Sequence, residues 1–117
     1  MPLIKVQTSI TEADSESVKG LLTTLSAKLA KHLSKSEAYI MTAFEPGIQM
    51  SFAGTFEPVC YLEIKSVGTM SSQQTSSMSQ DFCQVIQDKL GISSDRIYIE
   101  FADAKGAMWG WNKRTFG

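Results

Sequence analysis

The chain has little of several residues that commonly carry chemistry: one histidine, His32; two cysteines, Cys60 and Cys83; and two arginines, Arg96 and Arg114. Each shortage removes a class of function. A single histidine with no ligand-spaced partner gives no metal site. The cysteines lie far apart and form no CxxC pair, which reads as two buried, reduced thiols in a cytosolic protein. Lys and Arg total 11 against 12 Asp and Glu, so the net charge is −1, and no basic block occurs. Nucleic-acid binding draws much of its affinity from a clustered Lys/Arg face, so nucleic acid is excluded as a partner. No apolar run approaches the roughly 18 residues of a membrane-spanning helix, and a membrane role is excluded with it. The opening Met1-Pro2-Leu3-Ile4-Lys5 lacks a charged leader ahead of an apolar stretch. A cytoplasmic location is expected, with secretion without a signal peptide as the alternative.

What is present suits one globular domain spanning residues 1–117, since 43% of the residues are hydrophobic and 20% charged. Residues 2–7 predict a short strand. A Ser/Thr/Asp/Glu-rich stretch over 11–17 leads into a helix whose stripe is Val18, Leu21, Leu22, Leu25, Leu29 and Leu33. Residues 38–44 predict a strand, 45–58 an irregular Pro- and Gly-containing connection, and 59–67 another strand. Ser71 or Ser72 is placed to cap a second helix with Met78, Phe82, Val85, Ile86 and Leu90 on its stripe. Gly91 falls where a left-handed C-terminal cap belongs. Residues 96–101 predict a fourth strand, and the tail carries Trp109, Trp111 and Phe116 among glycines.

The order strand–helix–strand occurs twice, and the halves align at one constant offset. Leu21 pairs with Met78, Leu25 with Phe82, Leu29 with Ile86, Leu33 with Leu90, Ile40 with Ile97, and Phe44 with Phe101. A duplicated βαβ unit explains this economically. Right-handed crossovers then put both helices on one face of a four-stranded sheet. The expected class is α+β, in the α/β sense of two pseudo-symmetric βαβ units. The strands carry apolar residues on both parities, as in Leu3 and Ile4, Tyr61 and Leu62, and Ile97 and Tyr98. The helix-free face is therefore expected to be apolar, and further copies of the chain, in a closed ring, are expected to cover it.

Pro2 opens the first strand. Lys35 and Tyr39 flank the second, and Met50-Ser51-Phe52-Ala53-Gly54 lies in the long connection. Glu57-Pro58, Ser66-Val67-Gly68, Ser93-Ser94-Asp95-Arg96-Ile97-Tyr98-Ile99 and Gly110-Trp111-Asn112 follow in order. Taken together, over the whole length, this set resembles the macrophage migration inhibitory factor and D-dopachrome tautomerase family of the tautomerase superfamily. The resemblance implies a homotrimer whose sheets line a central barrel, with three active sites between subunits. It implies keto–enol tautomerisation of an aryl α-keto acid such as phenylpyruvate, with no cofactor and no metal.

The resemblance also implies roles. Removal of Met1 would leave Pro2 with a free secondary amine, whose pKa a dry pocket or a neighbouring cation lowers from the ordinary 7.7–8.0 or so, making it a general base. Lys35 would hold the substrate carboxylate and steady the growing enolate charge. Ser66 and Val67 would border the pocket. Tyr98 would come from the neighbouring subunit, with Glu100 in the position of a pocket asparagine. Tyr39, Trp109, Trp111 and Phe116 would wall in an aryl ring. Val59 and Leu62 replace the cysteines of the mammalian CxxC pair, so thiol–disulfide exchange of that type is not expected. Glu12 replaces a mammalian receptor-binding arginine. The alternative reading is a cytokine-like receptor-binding protein with a weak or vestigial pocket. Hydration, dehalogenation or decarboxylation of small acids ranks lower, because neither arginine falls at a matching site position.

Overall fold

The computed structural model describes all residues, 1–117. Strand β1 (Pro2–Thr8) leads through α1 (Ser15–Leu33) to β2 (Met41–Glu45). Strand β3 (Cys60–Val67) leads through α2 (Ser72–Leu90) to β4 (Ile97–Ala104). Within each half the two strands are parallel. β1 and β3 meet antiparallel at the centre of a sheet ordered β2-β1-β3-β4. The duplicated unit read from the sequence is thus the architecture.

Both helices are fixed at their ends by side chains. The Ser17 N–H donates to Asp14 at the head of α1, 2.8 Å away, satisfying one of the amides a helix start leaves free. Ser71, not Ser72, caps α2, in a reciprocal box with Gln74. Ser34 and Gly91 end the helices in the left-handed region, at φ 53° and 70°. Leu21, Leu25, Leu29 and Leu33 from α1 and Met78, Phe82, Val85 and Ile86 from α2 are buried against Ile4, Val6, Leu62 and Ile64 of the central strands. Asp81 of α2 ties the helices together, taking hydrogen bonds from Lys28 at 2.9 Å and His32 at 2.7 Å.

Several expectations change. Residues 38–44 are not one strand. The Ser36 hydroxyl caps the Ala38 N–H and bends Glu37–Tyr39 into a single 3-10 turn before β2 begins. β4 runs on to Ala104, where Ala102-Asp103-Ala104 follows β3 in register despite weak strand propensity. The tail forms an unforeseen hairpin, β5 (Gly110–Trp111) with β6 (Arg114–Thr115), turning on Asn112 and Lys113 at positive φ. Cys60 is buried, and desolvation pushes its thiol up to about 12. Cys83 lies off the apolar stripe of α2 and is only half-buried.

The helix-free face differs most. Alternation along the strands sets Leu3, Tyr61 and Tyr98 among Lys5, Glu63, Lys65 and Glu100, so the face is mixed and charged rather than apolar. The Tyr61 hydroxyl bonds Glu63 at 3.1 Å and also Glu100, and Lys65 pairs with Glu63 at 3.0 Å. Partial desolvation and the two carboxylates together raise the phenol above its ordinary value. The patch-size argument for covering this face does not hold. Large apolar exposure lies instead at two ends of the molecule, around Met41 and Met108 at one and Phe56 and Tyr98 at the other.

Candidate active site

Pro2 is buried at the head of β1, a central strand paired on both flanks. It sits opposite Ser66 of β3, on the same face as the helices. A crevice of about 250 Å³ opens beside it. Tyr39, Trp109, Trp111 and Phe116 share its lining with Pro2, and so does Met1. Five of the residues expected at the site are therefore brought together by one chain.

The aromatic wall is built by the tail. Trp111 stacks on Phe116 with ring centroids 5.8 Å apart and meets Tyr39 edge-on at 5.5 Å, a favoured geometry for aromatic pairs. Arg114 lies over the Trp111 ring at 5.6 Å. The tail closes back on the 3-10 turn Gly106–Met108. The Phe116 N–H donates to the Gly106 carbonyl, and a Cβ on Gly106 would lie 2.6 Å from the Phe116 oxygen. Only glycine lets the backbones approach this closely, so Gly106 sets where Phe116 stands.

Lys35 arrives by a different route. The left-handed turn at Ser34 ends α1 and aims the next residue over the strand ends. There the Lys35 ammonium donates to the buried Ser66 hydroxyl at 3.1 Å and to the Val67 carbonyl. Lys35, Ser66 and Val67 therefore form a polar corner, joined to the crevice by the Pro2–Ser66 pairing. Its charge reaches the chain start. Burial, and then the Lys35 cation, lower the Met1 amine below its ordinary value.

Tyr98 and Glu100 are not brought to Pro2 within one chain. They lie on the helix-free face of β4. Tyr98 is level with Tyr61 and through it with Gln7, five residues along from Pro2. At strand spacing that is roughly 17 Å along the sheet, and two strands across it. Glu100 is held by the Tyr61 hydroxyl. The reading from sequence missed Ile40 and Met41, which also line the crevice. Ile40 reads as an ordinary core residue, and only its nearness to Tyr39 hints at the site. No group of three or more His, Cys, Asp or Glu is arranged to hold a metal ion. No helix is long and apolar enough to cross a membrane.

The site thus combines a buried proline at a strand head, an aromatic wall and, one strand across, an ammonium held by Ser66 and Val67. Similarity to known proteins extends along the whole chain. Residues 1–117 match the family model for macrophage migration inhibitory factor (MIF). The macrophage migration inhibitory factor of Rattus norvegicus is 34% identical over 116 residues, covering 99% of both chains. The homolog of Brugia malayi is 30% identical over 117 residues, covering 100% of each. The crystal structure of the macrophage migration inhibitory factor homologue from Prochlorococcus marinus matches with a TM-score of 0.92 at 44% identity, over 98% of this chain and 99% of that one. This chain belongs to the macrophage migration inhibitory factor family, in the tautomerase superfamily.

Proposed function

We propose that the chain, with Met1 removed, is a homotrimeric keto–enol tautomerase of aryl α-keto acids such as phenylpyruvate, with the Pro2 nitrogen as general base. The observation that carries this reading is the placement of Pro2: buried, at an aromatic crevice, and paired across the strands with Ser66, to which the Lys35 ammonium donates. With Met1 attached, the Pro2 nitrogen is an amide and accepts no proton. Trimming exposes a secondary amine next to the position where burial and the Lys35 cation lower the Met1 amine below its ordinary value, and the same two causes act in the same direction on the Pro2 nitrogen. That amine removes a proton from the carbon next to the ketone. Pro2 then returns that proton to the enolate oxygen and is regenerated as the free amine, and the reverse path restores the ketone. Lys35 holds the substrate carboxylate and stabilises the enolate charge. Tyr39, Trp109, Trp111 and Phe116 bury the ring and exclude water, while Ser66 and Val67 fix the lysine.

The trimer supplies Tyr98 and Glu100 to this pocket from a neighbouring copy. Two features support it. Tyr98 lies too far from Pro2 to act within its own chain. Large apolar exposure falls in two separate patches, as a head-to-tail ring requires. The bond from Tyr61 draws the Glu100 carboxylate toward the sheet face, which lessens its repulsion of an anionic substrate.

The test compares trimmed wild type with trimmed Pro2→Gly, following phenylpyruvate enol–keto conversion by absorbance, with subunit number from sedimentation. A positioned base contributes about 10²–10⁴ in rate, so Pro2→Gly is expected to lose a factor in that range. Equal rates in the two proteins remove Pro2 from the mechanism.

A further inference from the structure

One residue governs the far end of the sheet from which Tyr98 projects. The Arg96 guanidinium donates to four main-chain carbonyls of a single loop: Phe52 at 3.2 Å, Thr55 at 3.4 Å, Glu57 at 2.9 Å and Pro58 at 2.9 Å. The loop is held in a particular shape. Phe52 and Thr55 exchange both backbone hydrogen bonds across a two-residue turn, with Ala53 and Gly54 at φ 52° and 75°. Left-handed backbone at Ala53 is unfavourable for a residue with a Cβ, so the surroundings must hold it there. Arg96 makes those contacts with a planar fork, a geometry Lys does not supply. The same guanidinium lies over the Phe52 ring at 5.5 Å, and Phe52 meets the Tyr98 ring edge-on at 5.1 Å. Tyr98 is itself 65% exposed, so little else in the chain confines its ring.

We infer that Arg96 is a positioning residue for the tautomerase reaction. By clamping the 52–58 loop it holds Phe52 against Tyr98, and so sets the angle at which the Tyr98 hydroxyl enters the neighbouring copy's pocket. The inference rests on the reading of that pocket given above. It adds a residue that touches no substrate and lies at the end of the sheet remote from the same chain's Pro2. Misplacing a group by about 1 Å can cost up to about 10²-fold in rate, which is the size of effect at stake.

The experiment uses trimmed full-length protein: wild type, Arg96→Gln, Phe52→Leu, Tyr98→Phe and the double variant Arg96→Gln/Tyr98→Phe. Phe52→Leu leaves the Arg96 clamp in place, and so serves if Arg96→Gln fails to fold. Tyrosine ring resonances are followed by NMR, and kcat and KM with phenylpyruvate. The expected result is that Arg96→Gln and Phe52→Leu both move the Tyr98 ring signals toward those of a free tyrosine. Each lowers kcat/KM about tenfold or more. In the Tyr98→Phe background the Arg96 substitution costs less than about twofold further, because the two residues act through one contact. Unmoved Tyr98 signals overturn the inference. So does an Arg96→Gln loss of equal size in both backgrounds, which would mean a general structural role. A fully active Tyr98→Phe overturns it while leaving Pro2 as the base. An inactive trimmed wild type instead defeats the reading of the pocket, and the ring signals alone then decide whether Arg96 governs Tyr98.

Discussion

The two βαβ halves can be laid over each other residue by residue. Asp14 and Ser71 cap their helices, Ser34 and Gly91 end them, and Glu37–Tyr39 and Ser94–Arg96 each make one 3-10 turn. The same alignment sets Val59 in the place of Pro2, Ile92 in that of Lys35, and Arg96 in that of Tyr39. In the second half these positions are closed. Val59 and Ile92 are buried, Ser9 bonds both backbone groups of Val59, and Arg96 fastens the preceding loop over the strand end. In the first half the equivalent end opens on the aromatic crevice. A duplicated frame offers two equivalent strand ends. Aliphatic side chains turn one into core, while a proline, an ammonium and aromatics turn the other into a candidate site.

That contrast is open to direct attack. The largest effect is expected from Lys35→Ile, which gives the first half the residue of the second. Loss of one preorganised charge at the site should lower kcat/KM for phenylpyruvate by about 10²–10³, with the fold kept because Lys35 is outside the core. An unchanged rate would mean that the halves differ at this position for structural reasons only.

A smaller effect should test whether the two helix ends are equivalent. Gly91→Ala places a Cβ in the left-handed region and is expected to cost about 1 kcal/mol. Ser34→Gly relieves the same conformation, offset by a freer unfolded chain, for a gain of about 0.5 kcal/mol. Denaturant midpoints moving in the same direction would show that the two ends are not equivalent.

The smallest effect concerns the helix starts. Donation from the Ser17 N–H and hydroxyl holds the exposed Asp14 carboxyl below its ordinary value. A depressed carboxylate contributes stability above its unfolded pKa of about 3.9 and loses it as pH falls through the folded value. The Ser71–Gln74 box of α2 carries no titrating group. Amide protection in the first turn of α1 should therefore fall in acid before that of α2, and Asp14→Ser should abolish the difference. Identical acid profiles in the wild type would remove the electrostatic part of the cap.

The frame was legible because its signals are local and periodic. Leucines recur at helical spacing in α1, cap residues stand at both helix starts, and six pairs of residues keep one offset through helix and strand. Half of the candidate site was legible as a grouping too, since Pro2, Tyr39, Trp109, Trp111 and Phe116 line one crevice. What escaped depends on contacts that no local pattern encodes. The charged face of the sheet follows from which parity of each strand turns away from the helices, and apolar residues on both parities hid it. The tail hairpin turns on Asn112-Lys113 in place of the usual Asn-Gly, so it gave no turn signal. Arg96 read as the first residue of a strand and as an arginine outside the site positions, because its four acceptors lie about forty residues earlier in the chain.

The strand that begins at Pro2 is bonded to a neighbour on either side, so the sheet positions the first ring whatever precedes it. An affinity tag fused ahead of residue 2 would leave a soundly folded protein that purifies well, with the Pro2 nitrogen acylated. Silence in an assay of such a fusion would report the cloning strategy and leave the proposed activity untested. Intact-mass measurement of the mature amino terminus belongs before any rate is recorded.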